Sequence, residues 1–545
     1  MSLRTLLIII FLMLPLAACS GGEGPETPVP PVDPAQVPAG PEEGGSLVMD
    51  MLGEPSNLIA ILATDASSHE VASQIYVSLI KYDKNLNLVP YAAESFEVLD
   101  GGKRIRFKLR KDIRWFDGEP LTARDVEFTY RLTIDPKTPT AYKENLKAVS
   151  AFRLIDDYTF EVEYEQPFAK ALITWAMDIL PEHTLKGEDL LGTRYSRNPV
   201  GAGPYTLAEW SPGSRIVLKA NPDYFEGKPY IDRVVYRIIP DQSTQFLELK
   251  AGNLDYMSLT PLQYLYQTSG PGWDGSFNKF EYLSSGYTFL GFNMNHPFFK
   301  DKRVRQAIDF AIDRDELVKG VLYGLGEAAN GPYKPGTWQY DEALKPRVYD
   351  PAMARSLLAE AGWTDSDHDG VLDKDGVPFS FSIITNQGNT QRIKTGVILQ
   401  QRLREIGILV TLRTVEWAAF IQEFIDKGRF DATILGWNIL EDPDIYSVWH
   451  SSMAVEGGLN FTRYKNEELD ELLERGRHMV GAQARKPVYD RVQEILHEEV
   501  PYCFLYVPKS LPIVQARVQN IKAAPAGISY NFTKWWIPKS LQRQP

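Results

Sequence analysis

Phe379-Ser380-Phe381-Ser382-Ile383 opens the most regular stretch of the chain, and the reading of residues 379–436 decides the fold class. The apolar-polar alternation predicts a strand. Ile393, Val397, Gln400, Leu403 and Ile406 follow at helical spacing and stop at Gly407. Val410 and Leu412 predict a second strand. Trp417, Phe420 and Phe424 stripe a second helix, and Asp431-Ala432-Thr433-Ile434-Leu435 closes with a third strand. Strand-helix-strand-helix-strand requires parallel pairing through right-handed crossovers, so the fold class is α/β.

Working outward, Phe96 and Val98 alternate before Asp100-Gly101-Gly102, and Ile105, Phe107 and Leu109 alternate after it, which predicts a hairpin. Phe160, Val162 and Tyr164 alternate again, and Ser46-Leu47-Val48-Met49 starts a strand. Asp350-Pro351, then Leu357, Leu358 and Ala361, then Gly362, spell a helix with an N-cap, a proline in its first turn and a glycine stop. No repeat of 20–50 residues is present.

The chain has 545 residues and a net charge of −13, which argues against a free nucleic-acid-binding surface. The 11 Trp, 27 Tyr and 25 Phe suit a large ligand pocket as well as a core. The two cysteines, Cys19 and Cys503, leave no disulfide framework and no cysteine zinc site. His-Glu-x-x-His, Gly-x-Ser-x-Gly and phosphate-cradling Gly-Lys-Ser/Thr patterns are absent. Carboxylates are plentiful, so an acid/base pair assembled in space stays open. The pattern is that of a binder rather than an enzyme.

Arg4 and the apolar run at residues 5–14 have the size of a signal-peptide core, shorter than the ~20 residues of a membrane span. Leu16-Ala17-Ala18-Cys19 resembles a bacterial lipobox. That resemblance makes residues 1–18 a lipoprotein signal peptide and Cys19 the lipidated N-terminus. The other reading is an ordinary secretory signal that ends in cysteine. Residues 19–45, rich in Pro and Gly, read as a tether without regular structure. A lipid and a tether place the body outside the cytoplasm, beside a membrane.

Four segments carry a wider resemblance. They are Trp115-Phe116-Asp117-Gly118-Glu119-Pro120; Gly203-Pro204-Tyr205 with Asn221-Pro222-Asp223-Tyr224-Phe225-Glu226-Gly227; Phe292-Asn293 with Arg303-Val304-Arg305-Gln306-Ala307-Ile308; and Phe430-Asp431-Ala432 with Gly436-Trp437 and Asp442-Pro443-Asp444. Most of them also read as turns and buried helix faces, Val304, Ile308, Ala311 and Ile312 being one amphipathic stripe. In order and spacing they resemble family 5 of the bacterial extracytoplasmic solute-binding proteins, the peptide- and nickel-importer group.

The resemblance implies a two-lobed α/β periplasmic-binding-protein fold (type II) with an extra small domain and a hinge-closing cleft. It places a discontinuous first lobe at 46–82, 199–286 and 502–540, the small domain at 83–198 and the second lobe at 287–501. It implies no enzyme and no cofactor. The implied partners are a ligand and the permease subunits of an ABC importer, with membrane lipid held through Cys19 and the protein acting as a monomer. Peptides are the expected ligand class, oligosaccharides the alternative. A secreted glycosidase with two cleft carboxylates and an adhesion or signalling protein on this fold are the rivals.

The ligand-binding residues carried over are Trp417 and Trp437, with Asn438 beside the latter. Asp65, Ser67 and Ser68 lie in the first interlobe loop, Tyr287 at the lobe crossover and Tyr506 in the returning strand. Trp417, Tyr287 and Tyr506 read equally as core. Many peptide-binding members carry an aspartate three residues after the Gly-Trp tryptophan, where this chain has Leu440. A ligand ammonium in a closed cleft needs a carboxylate, and Glu441, Asp442 and Asp444 are the nearest candidates. Asp442 is favoured; the alternative is that it caps the segment after it.

Asp365-Ser366-Asp367-His368-Asp369-Gly370 matches the start of a calcium loop, with Asp373 nearby, but its twelfth position is Gly376 instead of glutamate. A solvated acidic turn fits the same residues.

Overall fold

The computed structural model describes residues 29–438 and 442–543. Cys19, Leu440 and Glu441 lie outside the described residues.

Two seven-stranded sheets organise the molecule. The first is built on Ser46–Met51, which pairs in parallel with Arg233–Ile238 and Tyr256–Ser258. The 379–436 stretch forms one flank of the second. Ser380–Asn386 pairs in parallel with Leu409–Val415, and also with Ala432–Asn438, which neighbours it on the other side. The helix Thr390–Glu405 makes the first crossover. A four-stranded sheet, Ala93–Leu99, Arg104–Leu109, Thr159–Tyr164 and Val149–Asp156, forms a smaller unit around Phe107, Phe160 and Trp175.

Local signals behave as their chemistry requires. Asp350 caps Pro351–Glu360 through Ala352 and Met353 N–H, and Gly362 takes φ +86° beyond the helix end. Val304, Ile308, Ala311 and Ile312 are all buried in the second-lobe core. The second crossover differs from its pattern. Trp417–Ala419 is one short turn, and Phe420–Ile425 continues as a π-helix. The wider winding turns Ile421 and Ile425 into the core beside Phe420 and leaves Trp417 and Phe424 only half-buried.

Two expected boundaries move. Tyr502–Ser510 pairs with Gly286–Phe292, so this strand belongs to the second sheet; the chain regains the first sheet only at Pro512–Gln515. Residues 29–45, expected to be unpacked tether, lie on the first lobe. Val29 fills an apolar site with Leu249, Trp273 and Phe277, and Val32 N–H donates to Gly275 C=O at 3.0 Å. A single apolar anchor and satisfied backbone groups suffice to hold a proline-rich segment.

The chain therefore crosses between sheets twice, at Phe280–Glu281 and at Leu511. The crossings lie side by side, since Phe280 N–H donates to Pro512 C=O at 2.9 Å and Tyr282 pairs with Ser510. Two short adjacent connections make a hinge.

Candidate functional site: the interlobe cleft

The lobes meet across the cleft at several points. Gly53, just after the first strand, lies under Trp417: a Cβ on Gly53 would stand 2.4 Å from Trp417 Cβ. Trp417 Nε1 donates to Asp65 Oδ1 at 3.4 Å. On another rim, Thr390 N–H and Oγ1 donate to Gln242 Oε1 at 2.9 and 2.7 Å. The small domain joins through Ala169 N–H to Arg477 C=O at 2.7 Å and through Lys170, 3.8 Å from Asp444.

These contacts enclose space. Asp50, Tyr256, Asp178 and Arg392 are half-buried, and Glu70 is exposed. His69, Ser73 and Gln74, on the helix that carries Glu70, line a cavity of about 750 Å³ that reaches Tyr142, Lys170 and Asp178 of the small domain. That volume suits a small-molecule or short-peptide ligand.

Four of the charges have no ion-pair partner among the described residues. Arg392 Nη1 donates to Asn386 Oδ1 at 2.9 Å and meets no carboxylate; burial lowers its pKa to about 10. Burial raises Glu70 to about 7, and burial with the nearby Glu70 charge raises Asp50 to about 8. Asp178 is raised to about 6 by burial. Spacing and motif do not reveal these four, because whether a charge is solvated or enclosed depends on segments far away in the chain.

The residues read from sequence fall into three groups. Trp437, Asn438 and Trp417 stand at the cleft. Trp437 is half-buried, with Nε1 donating to Tyr502 OH at 3.3 Å, and Asn438 is exposed beyond it. Trp417 has Gly53 against its ring stem, so it joins the lobes rather than offering an open platform.

Asp65 and Ser68 do structural work. Asp65 is 2% exposed and caps the helix Ala66–Ile75, accepting from Ser68 N–H at 2.9 Å and Ser68 Oγ at 2.6 Å. Ser68 Oγ accepts from Ser56 N–H at 2.8 Å. Ser67 is half-buried in the same turn. Tyr287 is 3% exposed and packs on Phe289 and Phe504. Tyr506 is 1% exposed and bonds Thr395 Oγ1 at 3.0 Å, just behind Arg392.

Asp442 and Asp444, the described carboxylates of the acidic loop, are both paired with arginines. Arg485 donates to both Asp442 oxygens at 2.7 and 2.9 Å. Burial alone would raise the Asp442 carboxyl; the arginine more than offsets it and holds the pKa below the ordinary carboxylate value. Asp442 Oδ1 also accepts from Asp444 N–H at 2.9 Å, an Asx turn, while the helix Tyr446–Trp449 has no side-chain cap. Asp444 accepts from Arg477 Nε at 3.0 Å. A carboxylate already paired with a buried arginine is not free to take a ligand ammonium.

In the other acidic loop, ligand atoms of Asp365, Asp367 and Asp369 lie within 4.8 Å of one another, and Asp365 Oδ1 is buried without a hydrogen-bond partner. These are the oxygens that would hold a cation. Asp373 does not converge with them: its Oδ2 is taken by Ser366 N–H and Oγ at 2.8 and 2.7 Å.

Residues 87–455 match the family described as bacterial extracellular solute-binding proteins, family 5. The chain is 34% identical over 553 aligned positions to the oligopeptide-binding protein AppA of Bacillus subtilis, covering 99% of both chains. It is 26% identical to the dipeptide-binding protein of Escherichia coli, over 88% of this chain and 93% of that one. The structure of the Bacillus subtilis AppA in complex with a nonapeptide superposes with a TM-score of 0.87, covering 92% of this chain and 100% of that chain. The NikZ protein of Campylobacter jejuni in complex with Ni(L-His) superposes at 0.81 with 26% identity, covering 90% and 99%. With its two sheets, double crossing and enclosed cleft, this chain belongs to the family 5 bacterial extracellular solute-binding proteins.

Proposed function

We propose that this protein captures peptides outside the cytoplasm in the cleft between its lobes and hands them to the permease of an ABC importer. It acts as a monomer held at the membrane by a lipid on Cys19. Arg392 carries the peptide reading. It is a half-buried guanidinium that donates to an amide and has no ion-pair partner among the described residues, and a peptide's terminal carboxylate supplies the missing charge in bidentate form. The curated relatives named for oligopeptides and dipeptides agree with that chemistry. Closure follows from ligand contacts made to both lobes at once, which favour the shut state over the open one.

Calorimetry with one peptide as free acid and as C-terminal amide tests the reading. The amide should bind about 30-fold or more weakly, the loss expected when a buried charge pair loses one member. Arg392→Gln should bind both forms alike. Equal affinity of acid and amide for the wild type, or no heat from any peptide, would overturn it.

A further inference from the structure

A second cavity, of about 840 Å³, opens beside the Gln242–Thr390 contact and is built from both lobes. The helix Gln242–Lys250 and the segment 260–273 supply its first-lobe wall. Tyr323 and the start of the helix Thr390–Glu405 supply the wall from the second lobe. Tyr266 and Tyr323 meet edge-to-face across the seam, with ring centroids 6.0 Å apart. Phe246 and Trp273, buried and stacked at 5.6 Å, add an apolar surface. The charged residues that line the cavity are both lysines: Lys250, half-buried, and Lys394, exposed. Lys250 Nζ lies 6.0 Å from the Phe246 ring centroid, and Lys394 Nζ lies 5.7 Å from that of Tyr323. Neither lysine has an ion-pair partner among the described residues, and no described aspartate or glutamate lines the cavity.

The chain carries a net charge of −13, so a cavity with two unpaired lysines and no acid reverses the sign of the molecule locally. A carboxylate entering it finds ammonium groups from both lobes. Ser243, Gln267, Ser269 and Gln391 add hydroxyl and amide donors, and the rings offer faces to the body of the molecule. A cavity of this volume holds an organic molecule rather than an inorganic ion. Lys250 belongs to the first lobe and Lys394 to the second, so an anion meets both only while the lobes are shut.

We propose that this cavity is an anion site that takes an organic carboxylate between Lys250 and Lys394 and thereby favours the shut lobes. The carboxylate has two sources. One is an acidic side chain near the carboxyl end of a peptide whose terminus Arg392 holds, since Gln391, one position away, lines the cavity; this source rests on the peptide reading above. The other is a separate small organic acid bound beside the peptide.

Calorimetry at low salt separates them. Two peptides of one length and free C-terminus differ only in carrying a pair of glutamates or a pair of glutamines before the last residue. Glutarate is titrated into the protein alone and into the protein loaded with the glutamine peptide. Each titration is run on the wild type, Lys250→Gln, Lys394→Gln and the double variant, with melting curves to establish folding. If the peptide supplies the carboxylate, the glutamate peptide binds the wild type about fivefold or more tightly than the glutamine peptide, the scale of two part-exposed ion pairs. Each single variant narrows that ratio and the double variant binds the two peptides alike. If a separate acid supplies it, glutarate gives heat with the wild type and none with the double variant, and the glutamine peptide binds the wild type more tightly in its presence. The negative charge of the chain opposes both results, so neither arises from the overall field. No glutamate preference together with no heat from glutarate removes the anion site, as does either effect persisting in the double variant. In those cases the glutamine peptide still binds if the peptide reading is right; failure of both peptides to bind removes that reading and leaves glutarate to decide the site.

Discussion

Asp50 and Glu70 leave a signature in the stability of the unliganded protein. A carboxyl raised on folding from 3.8 to about 8, as at Asp50, or from 4.5 to about 7, as at Glu70, holds its proton more tightly in the native state. The stability this contributes is fully present below the unfolded pKa and is lost as pH rises through the folded one. Between pH 4 and pH 8 the wild type should therefore lose melting temperature relative to Asp50→Asn, in which that titration is absent. Parallel melting curves over this range would show that Asp50 is not shifted. Asp442 behaves in the opposite sense. Its bidentate pair with Arg485 is part-buried, and removing one charge strands the other. Asp442→Asn should cost about 3–5 kcal/mol in denaturant unfolding, the range for breaking a buried pair. A variant as stable as the wild type but defective in binding would instead restore Asp442 as a ligand clamp.

At the scale of elements, legibility follows the range of the interactions involved. The Asp350 cap, the Gly362 stop and the Val304–Ile312 stripe depend on neighbours a few residues away, and the structure shows each of them where its pattern lies. The parallel unit at 379–436 was legible for the same reason. What failed to read were pairings across tens or hundreds of residues. Asp442 resembled a free acid because Arg485 lies 43 positions on, and Asp65 resembled a ligand contact because its Ser56 and Ser68 partners form a private capping network. Arg392, Asp50 and Glu70 look like ordinary surface charges on a helix or strand, and that none has an ion-pair partner among the described residues depends on segments far away in the chain.

The loop at 365–373 lies between these cases: its spacing predicted the clustering of Asp365, Asp367 and Asp369, but not the diversion of Asp373 to Ser366. Three clustered carboxylates and an unpartnered Asp365 oxygen mean that bound calcium should raise the melting temperature of the wild type and leave Asp367→Ala unmoved. Identical melting of the wild type in calcium and in chelator would leave a solvated acidic turn.

For the whole molecule the decisive quantity is the balance between open and shut lobes. The hinge is two adjacent strands' width, and a ligand shifts the balance only by contacts that exist when the lobes meet. The Gly53–Trp417 contact exists only then, because Gly53 follows a strand of the first sheet and Trp417 sits on the crossover between two strands of the second. A methyl group on Gly53 would stand 2.4 Å from Trp417 Cβ, closer than non-bonded carbons approach, while in an open molecule it would project into solvent. Gly53→Ala should therefore leave the unliganded protein's unfolding unchanged and penalise the shut state alone. Affinity for any ligand should fall about tenfold or more, since each ~1.4 kcal/mol taken from the shut state costs a factor of ten. Small-angle X-ray scattering should show the wild type contracting when ligand is added and the variant contracting less. If Gly53→Ala binds and contracts like the wild type, Trp417 does not set the seam at which the lobes close, and closure is governed by another contact, for which the Gln242–Thr390 rim is the next to alter.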